Sequence, residues 1–252
     1  MSARKETLGR TIGIVVAVCL ACSIVVSSAA VGLRSLQETN AALDKQTNII
    51  DAAGLLDKAA GDIAGTYDKY VEERFVDLET GTYVEAPYEG YDMFKAAKDS
   101  DYNVRVQGSN VGFQTRAKVA SIYVVKDDSG NVQRLVLPVY GSGLWDLMYG
   151  FLAIEADGST IRSLVYYQHK ETPGLGGEIV NPAWKAKWDG KQAFKDGEVA
   201  IQVKKGAGND NPYAVDALSG ATLTSNGVQN SVTYWLGEQG FGKYLSKQSW
   251  KS

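Results

Sequence analysis

A short segment near the C-terminus holds residue types that could bind a phosphate group. It runs from Asp216 to Ser225, reads DALSGATLTS, and is followed by an apolar run at helical spacing as far as Leu236. The amides of a helix's first turn have no partner inside the helix and lie at the positive end of its dipole, so they can hold an anion. Ser, Thr and Asp are also common helix caps. The segment therefore predicts either a phosphate site or an ordinary capped helix.

Two further segments rich in glycine follow the ends of predicted strands, at residues 140–145 and 169–177. Glycines let the backbone approach a flat ligand closely. Trp145 and Leu175 could face a planar ring, and Glu171 could hydrogen-bond to its polar parts. The alternatives are a core tryptophan in the first segment and a purely structural loop in the second.

The charge balance argues against nucleic acid as a partner. Of the 26 basic residues Arg4, Lys5, Arg10 and Arg34 lie in the first 34 positions, and of the 29 acidic residues only Glu6 does, which leaves 22 against 28 and a net charge of −6 for the rest. A mildly acidic domain is not the electrostatic pattern of a nucleic-acid-binding protein.

The cysteines and the histidine restrict the metal chemistry. Cys19 and Cys22 both lie in an N-terminal apolar run, so the rest of the chain has neither a disulfide nor a thiolate site. They are interpreted as helix-packing residues, with a place beside a metal carried by another polypeptide, or lipoprotein processing at Cys22, as alternatives. His169 is the single histidine, which excludes three-His zinc sites and paired histidine haem ligands within this chain. We predict no metal site.

The N-terminus has the pattern of a membrane anchor. Residues 11–33 carry no charge, and residues 12–33 as a helix would span roughly 33 Å, enough to cross a bilayer. The basic flank predicts that residues 1–10 are cytoplasmic and that the chain from residue 34 onward lies outside the cytoplasm. A cleaved signal peptide, with a cleavage site near residues 27–30, is the alternative.

The rest of the chain predicts an α+β fold, a twisted and mainly antiparallel sheet with packed helices. Residues 34–115 are expected to form a juxtamembrane helix and an accessory region, and residues 116–252 the main domain. Strands are predicted at 119–125, 134–140, 149–155, 161–167 and 198–203, the first two as a hairpin. Helices are predicted at 91–98, 181–188 and 225–238.

The segment from Asp216 to Thr222 resembles the flavinylation motif of covalent FMN proteins, D-x-x-S/T-G-A-T. With the GLW loop at 143–145, the ETPGLG loop at 171–176 and the single N-terminal membrane helix, it makes nearly the whole chain similar to the C subunit of the sodium-translocating NADH:quinone reductases. The G subunit of the Rnf electron-transport complex represents a sister family with the same FMN-binding domain. It is shorter and lacks much of what stands at residues 60–110, so length favours the reductase family over the Rnf family.

This resemblance implies a periplasmic FMN-binding domain on a single-pass protein of the bacterial inner membrane. A flavin transferase would join FMN covalently to Thr222 through a phosphoester. Lys204 or Lys205 would pair with the negative charge that remains on the phosphate, the alternative being that these lysines are simply solvated surface charges. The further residues that the resemblance or their position suggests as cofactor contacts are Leu144, Trp145, Glu171, Thr172, Gly174, Leu175, Ser219, Gly220, Ala221, Leu223 and Thr224.

The function implied is that of an electron carrier inside a six-subunit NADH:quinone reductase coupled to Na+ export. NADH would be oxidised and quinone reduced on other subunits, so no complete catalytic site is expected on this chain. The alternatives are the G subunit of an Rnf-type complex, a membrane-anchored protein that binds a ligand without a covalent bond, and a flavin enzyme that acts alone. Colour that stays with acid-denatured protein would indicate the covalent carrier.

Overall fold

A computed structural model of the chain describes residues 8–208 and 210–251. The predicted cytoplasmic segment 1–10 therefore lies largely outside the described residues. The chain divides into two compact units, Met1–Lys45 and Gln46–Ser252. The helices are α1 (Leu8–Ala52), α2 (Leu56–Ala59), α3 (Ile63–Tyr70), α4 (Met93–Ala96), α5 (Pro182–Lys185), α6 (Thr222–Leu236) and α7 (Gly242–Lys247). Short 3-10 turns lie at Gly176–Val180, Ala186–Trp188 and Ser249–Lys251.

The strands outside one large sheet are only two or three residues long. In chain order they are β1 (Val71–Asp77), β2 (Thr82–Val84), β3 (Asn103–Arg105), β4 (Thr115–Ala117), β5 (Val119–Lys126), β6 (Val132–Ser142), β7 (Leu147–Glu155), β8 (Ile161–Gln168), β9 (Phe194–Lys195), β10 (Glu198–Val199), β11 (Gln202–Lys204) and β12 (Ala214–Asp216).

The described part of the first unit, from Leu8 onward, is helix and makes up the greater part of α1. Its most apolar window has a mean hydropathy of 2.7 and is fully exposed. By length and composition α1 is able to cross a membrane. A helical stretch that is apolar on every side, with no described residue of its own unit packed against it, fits the predicted membrane anchor.

The second unit is built on a six-stranded sheet in the order β2-β1-β5-β6-β7-β8, with every neighbouring pair antiparallel. The predicted hairpin is confirmed, with Tyr123 of β5 opposite Val136 of β6. The predicted α+β class, with a mainly antiparallel sheet and packed helices, is confirmed as well. Residues 61–110, to which the sequence assigned no role, supply β1 and β2.

Alternation along the strands gives the sheet two apolar faces. Ile122 and Val124 point into the larger core, which is shared with α6, whereas Tyr123 and Val125 point into a smaller core on the other face. The smaller core contains the last turns of α1, and Ile49 is fully buried there. Successive side chains of each strand point to opposite faces of the sheet, and both faces are buried. This explains why the sequences of these strands are continuous apolar runs.

The prediction of one strand at 198–203 is wrong. Two strands, β10 and β11, stand there instead, and they pair with β9 and β12 respectively. The amides of Ala200 and Ile201 both donate to the carbonyl of Ala193, so the chain turns between the two strands. Since both halves have β-forming residues, sequence pattern alone does not reveal the turn.

The helix predicted at 225–238 exists, but it begins earlier, at Thr222, and ends at Leu236. The prediction at 181–188 corresponds to α5 and a 3-10 turn, and the prediction at 91–98 to the single turn α4. The earlier start of α6 is important because it brings Thr222 into the first turn of the helix.

Candidate functional site

Thr222 is the first residue of α6 and is exposed. The preceding residue, Ala221, is the N-cap and provides no side-chain cap. Within the described residues, the amides of Thr222, Leu223 and Thr224 donate to no acceptor. The helix start therefore differs from an ordinary side-chain-capped helix and leaves three N–H groups available to an anion.

The turn before Thr222 is held by the protein itself. The amide of Leu218 donates to Ser225 Oγ at 3.0 Å, and the amide of Ser225 donates to the carbonyl of Ala221 at 3.0 Å. Gly220 has a φ of 74°, a left-handed conformation that glycine adopts without strain. Glycine at this position thus lets the chain turn sharply into the first residue of α6.

Glu171 joins the three predicted segments. Its Oε1 accepts hydrogen bonds from the amides of Leu144 at 2.9 Å and Trp145 at 3.1 Å, while Oε2 accepts one from the hydroxyl of Thr224. Glu171 is only 4% exposed and Thr224 1%. The sequence predicted that these residues belong to one site, and the structure brings them together around one buried carboxylate.

Two glycines make room for this carboxylate. A Cβ at Gly143 would lie 2.4 Å from Glu171 Oε1, and a Cβ at Gly176 would lie 2.6 Å from Oε2 and 2.3 Å from Thr224 Oγ1. Any larger residue would push the carboxylate out of place. The glycines of both loops stand out in the sequence, but this role does not.

The loops also meet at the surface. Trp145 Nε1 donates to Thr172 Oγ1 at 3.2 Å, and Lys170 Nζ lies 2.6 Å from Asp146 Oδ2. The hydrogen bond from Lys170 is the largest influence that lowers the pKa of the Asp146 carboxyl. The two contacts connect residues 145–146 with the 169–177 segment, outside the buried contact made by Glu171.

Three large apolar side chains, those of Leu144, Leu175 and Leu223, stand exposed around Thr222, and the exposed Trp145 lies beside Thr172. Trp145 is 66% exposed, so it is not a core residue. The three leucines border a cavity of about 230 Å³ that also reaches Thr172 and Thr222. Exposed apolar groups gathered in one place mark a binding surface.

A larger and more polar cavity, of about 920 Å³, adjoins Thr222. Three lysines line it: Lys187, Lys204 and Lys205. Within the described residues neither Lys204 nor Lys205 forms an ion pair, whereas Lys187 Nζ lies 3.7 Å from the carboxylate of Asp216. The sequence pointed to Lys204 and Lys205 and missed Lys187, which the 3-10 turn after α5 places at this cavity.

The remaining predicted contacts are distributed unevenly. Ser219 and Gly220 line the lysine cavity, and Gly220 and Ala221 line the apolar one. Gly174 is exposed with a φ of 75°, has open space around it, and lines neither cavity. A direct contact between a ligand and Gly174 stays a prediction.

Comparisons with known proteins show the family of the chain. Residues 143–237, which include Glu171 and Thr222, match the FMN-binding domain model. The C subunit of the Na+-translocating NADH-quinone reductase of Yersinia pestis is 46% identical over 96% of this chain and 94% of its own length. The corresponding protein of Vibrio alginolyticus is 43% identical over 98% and 97%. The crystal structure of Shewanella oneidensis NqrC superimposes with a TM-score of 0.76 at 33% identity, covering 81% of this chain and 95% of that one. The chain therefore belongs to the NqrC family, the C subunits of the Na+-translocating NADH-quinone reductases.

Proposed function

We propose that this chain carries FMN, joined to Thr222 through a phosphoester, and relays electrons within a Na+-translocating NADH-quinone reductase. The observation that carries the proposal is the position of Thr222. Its hydroxyl lies at an uncapped helix start, between an exposed apolar rim and a cavity lined by lysines. The names of the relatives support the complex, and the match at 143–237 supports the cofactor.

The residues present fit the parts of FMN. The apolar rim of Leu144, Trp145, Leu175 and Leu223 suits a planar aromatic ring, which large apolar side chains bind well. The free amides at the start of α6 suit a phosphate. The nearby lysines add positive charge on the other side of Thr222.

The attachment chemistry calls for a partner enzyme. The Thr222 oxygen would form a bond to phosphorus, and a phosphoanhydride bond of a flavin dinucleotide would break, releasing a nucleoside monophosphate. The hydroxyl proton must go to a base. Within the described residues Thr222 has no hydrogen bond to a carboxylate or an imidazole, so we expect a flavin transferase to supply the base.

Bound FMN would supply the electron-transfer chemistry. The phosphoester keeps one negative charge, which the amides of the first turn and Lys204 would stabilise. Leu144, Trp145 and Leu175 would exclude water from one side of the ring and thereby raise the energy of any charge placed on it. A carrier of this kind needs no general acid or base of its own. We assign NADH oxidation and quinone reduction to other subunits.

The membrane helix fits a protein fixed beside its partners. From the basic flank before residue 11 we propose that the domain is periplasmic. A reporter enzyme that is active only in the periplasm, fused to the C-terminus of the full chain, should be active. Activity of a cytoplasm-only reporter at the same position would reverse this orientation.

Intact mass under denaturing conditions tests the covalent bond. Wild-type chain coexpressed with a flavin transferase should gain the mass of one FMN less one water. The Thr222→Ala variant should lose this gain and remain folded, because an exposed threonine is replaced where no side-chain cap exists. Thr222→Ser, which keeps a hydroxyl, is the matched control and should retain at least part of it.

Three results would overturn the proposal in different ways. Flavin that stays with denatured Thr222→Ala protein would place the attachment elsewhere. Flavin that leaves the wild-type chain on denaturation would indicate a non-covalent binding protein. Turnover of NADH with quinone by the purified chain alone would favour a flavin enzyme that acts without partners.

A further inference from the structure

We infer that Glu171 is a positioning residue, which fixes the apolar rim to the first turn of α6 through the protein's own hydrogen bonds and does not contact the cofactor. The inference rests on the proposed function for what the rim binds, but the connection itself is a property of the chain without flavin. It also gives a specific role to a buried acid that the electron-carrier function leaves unexplained.

Both carboxylate oxygens of Glu171 are already engaged. Oε1 receives two backbone amides, from Leu144 and Trp145, and Oε2 receives the hydroxyl of Thr224. With 4% exposure, the carboxylate has little surface left for a ligand. Hydrogen bonds to an ionised acceptor are about twice as strong as those between neutral groups, so these three bonds form a firm junction.

The burial of the Glu171 carboxylate is by itself unfavourable for folding. Within the described residues no lysine, arginine or histidine forms an ion pair with it, so amides and a hydroxyl alone compensate its charge. Burial of a carboxylate without a cationic partner carries a penalty that an apolar side chain would avoid. A specific geometric role offsets that cost.

The contacts of Glu171 show which two parts of the site it holds together. Leu144 and Trp145 carry two of the exposed rim side chains, and Thr224 is two residues beyond Thr222 on the first turn of α6. Gly143 and Gly176 lie against the carboxylate on two sides, and neither position has room for a side chain. The carboxylate therefore sets the separation between rim and attachment point.

Amide hydrogen exchange followed by mass spectrometry tests the junction in the full chain in detergent. We choose the Thr222→Ala background and expression without a flavin transferase, so that no flavin is attached at any residue and the outcome does not depend on the proposed function. Glu171→Ala should speed exchange at residues 144–145 at least about tenfold, because two bonds to a charged acceptor are lost. Glu171→Gln should restore most of the protection, since its amide oxygen can accept from the backbone and its NH2 can donate to Thr224.

Two further variants keep the test decisive. If Glu171→Ala does not fold, Thr224→Val removes one bond from the other side and should loosen the same loop, whereas Thr224→Ser should not. Asp127→Ala is the matched control. Its carboxylate holds the amides of Ser129 and Asn131 in the β5–β6 turn, and its loss should leave residues 144–145 unchanged.

The loaded chain gives a second readout. With Thr222 intact, Glu171→Ala should shift the visible absorption of the flavin, and Glu171→Gln should resemble the wild type. Unchanged exchange at 144–145 in Glu171→Ala would overturn the inference. Failure of Gln to rescue both the exchange and the spectrum would overturn it as well, because charge rather than geometry would then be the requirement.

Discussion

Replacement of Gly227 by alanine tests how closely α6 packs against the end of β6. Gly227 lies inside α6, where glycine is about 1 kcal/mol less favourable than alanine, so helix propensity alone predicts a more stable variant. The structure predicts the opposite. The new Cβ would lie 2.1 Å from the carbonyl oxygen and 3.1 Å from the carbonyl carbon of Ser142.

The magnitude follows from what blocks the new methyl group. Contacts below 3.0 Å are essentially never seen for a real Cβ, so α6 or the end of β6 must move by almost 1 Å. The obstacle is backbone and cannot rotate aside. Overpacking of this kind costs typically 1–3 kcal/mol, and we expect the upper part of that range here. After the gain in propensity, about 2 kcal/mol of stability should be lost, which is roughly 4–8 °C in Tm for a domain of this size.

Thermal unfolding of the full chain in detergent, followed by near-UV circular dichroism, measures this loss. The matched control is Asn226→Ala, one residue earlier on the exposed side of α6. At this position alanine should also favour the helix, and its Cβ replaces one that is already there, so it introduces no clash. We expect its Tm to equal or slightly exceed that of the wild type. A Gly227→Ala variant as stable as the wild type, or more so, would refute the close-packing argument.

Three further predictions concern other parts of the second unit. Trp145→Ala should shift the flavin spectrum or potential while stability changes by no more than about 0.5 kcal/mol, because this side chain is largely exposed; an unchanged spectrum and potential would separate Trp145 from the ring. Arg134→Met removes both the 2.5 Å hydrogen bond from Nη1 to the carbonyl of Ala53, just after α1, and the 2.9 Å ion pair with Glu155. A urea titration should show a loss of about 1–3 kcal/mol, and an unchanged midpoint would be the contrary result. Hydrogen bonds from Arg74 and, next, from Lys126 lower the pKa of Glu72 from 4.5 to about 2, so the stabilising effect of the Glu72 carboxylate is present above pH 4.5 and is lost as the pH falls toward 2. Glu72→Gln should therefore differ most from the wild type near neutral pH, and a difference that does not narrow in acid would contradict this.

The central strands could be predicted because their pattern is local. Residues 119–125 and 134–140 are rich in β-branched and apolar residues, and a turn cluster separates them. β1 reads VEERFVD, in which four of the seven residues are charged, and such a run gives little local strand signal. It is a strand because it pairs along its whole length with β5. Contacts between distant parts of the chain decide such segments, and one sequence does not display them.

The site, too, could be predicted from the sequence only in part. The motif around Thr222 and the two glycine loops identified which segments belong together, since residue type and order carry that information. The sequence did not show that the Glu171 carboxylate is satisfied by the protein itself, because that depends on amides 26 and 27 positions away. Lys187 was missed for a related reason: only the 3-10 turn after α5 decides which cavity it reaches.

The distribution of the tryptophans gives the chain an optical property. All five tryptophans of the chain lie in the second unit. Trp184, Trp188, Trp235 and Trp250 are buried, and Trp145 alone stands in water at the rim. Emission from buried indoles is displaced to shorter wavelengths, so emission collected at the red edge of the band comes mainly from Trp145. Intrinsic fluorescence can therefore report on the rim of the site in unlabelled protein, during maturation as well as after it.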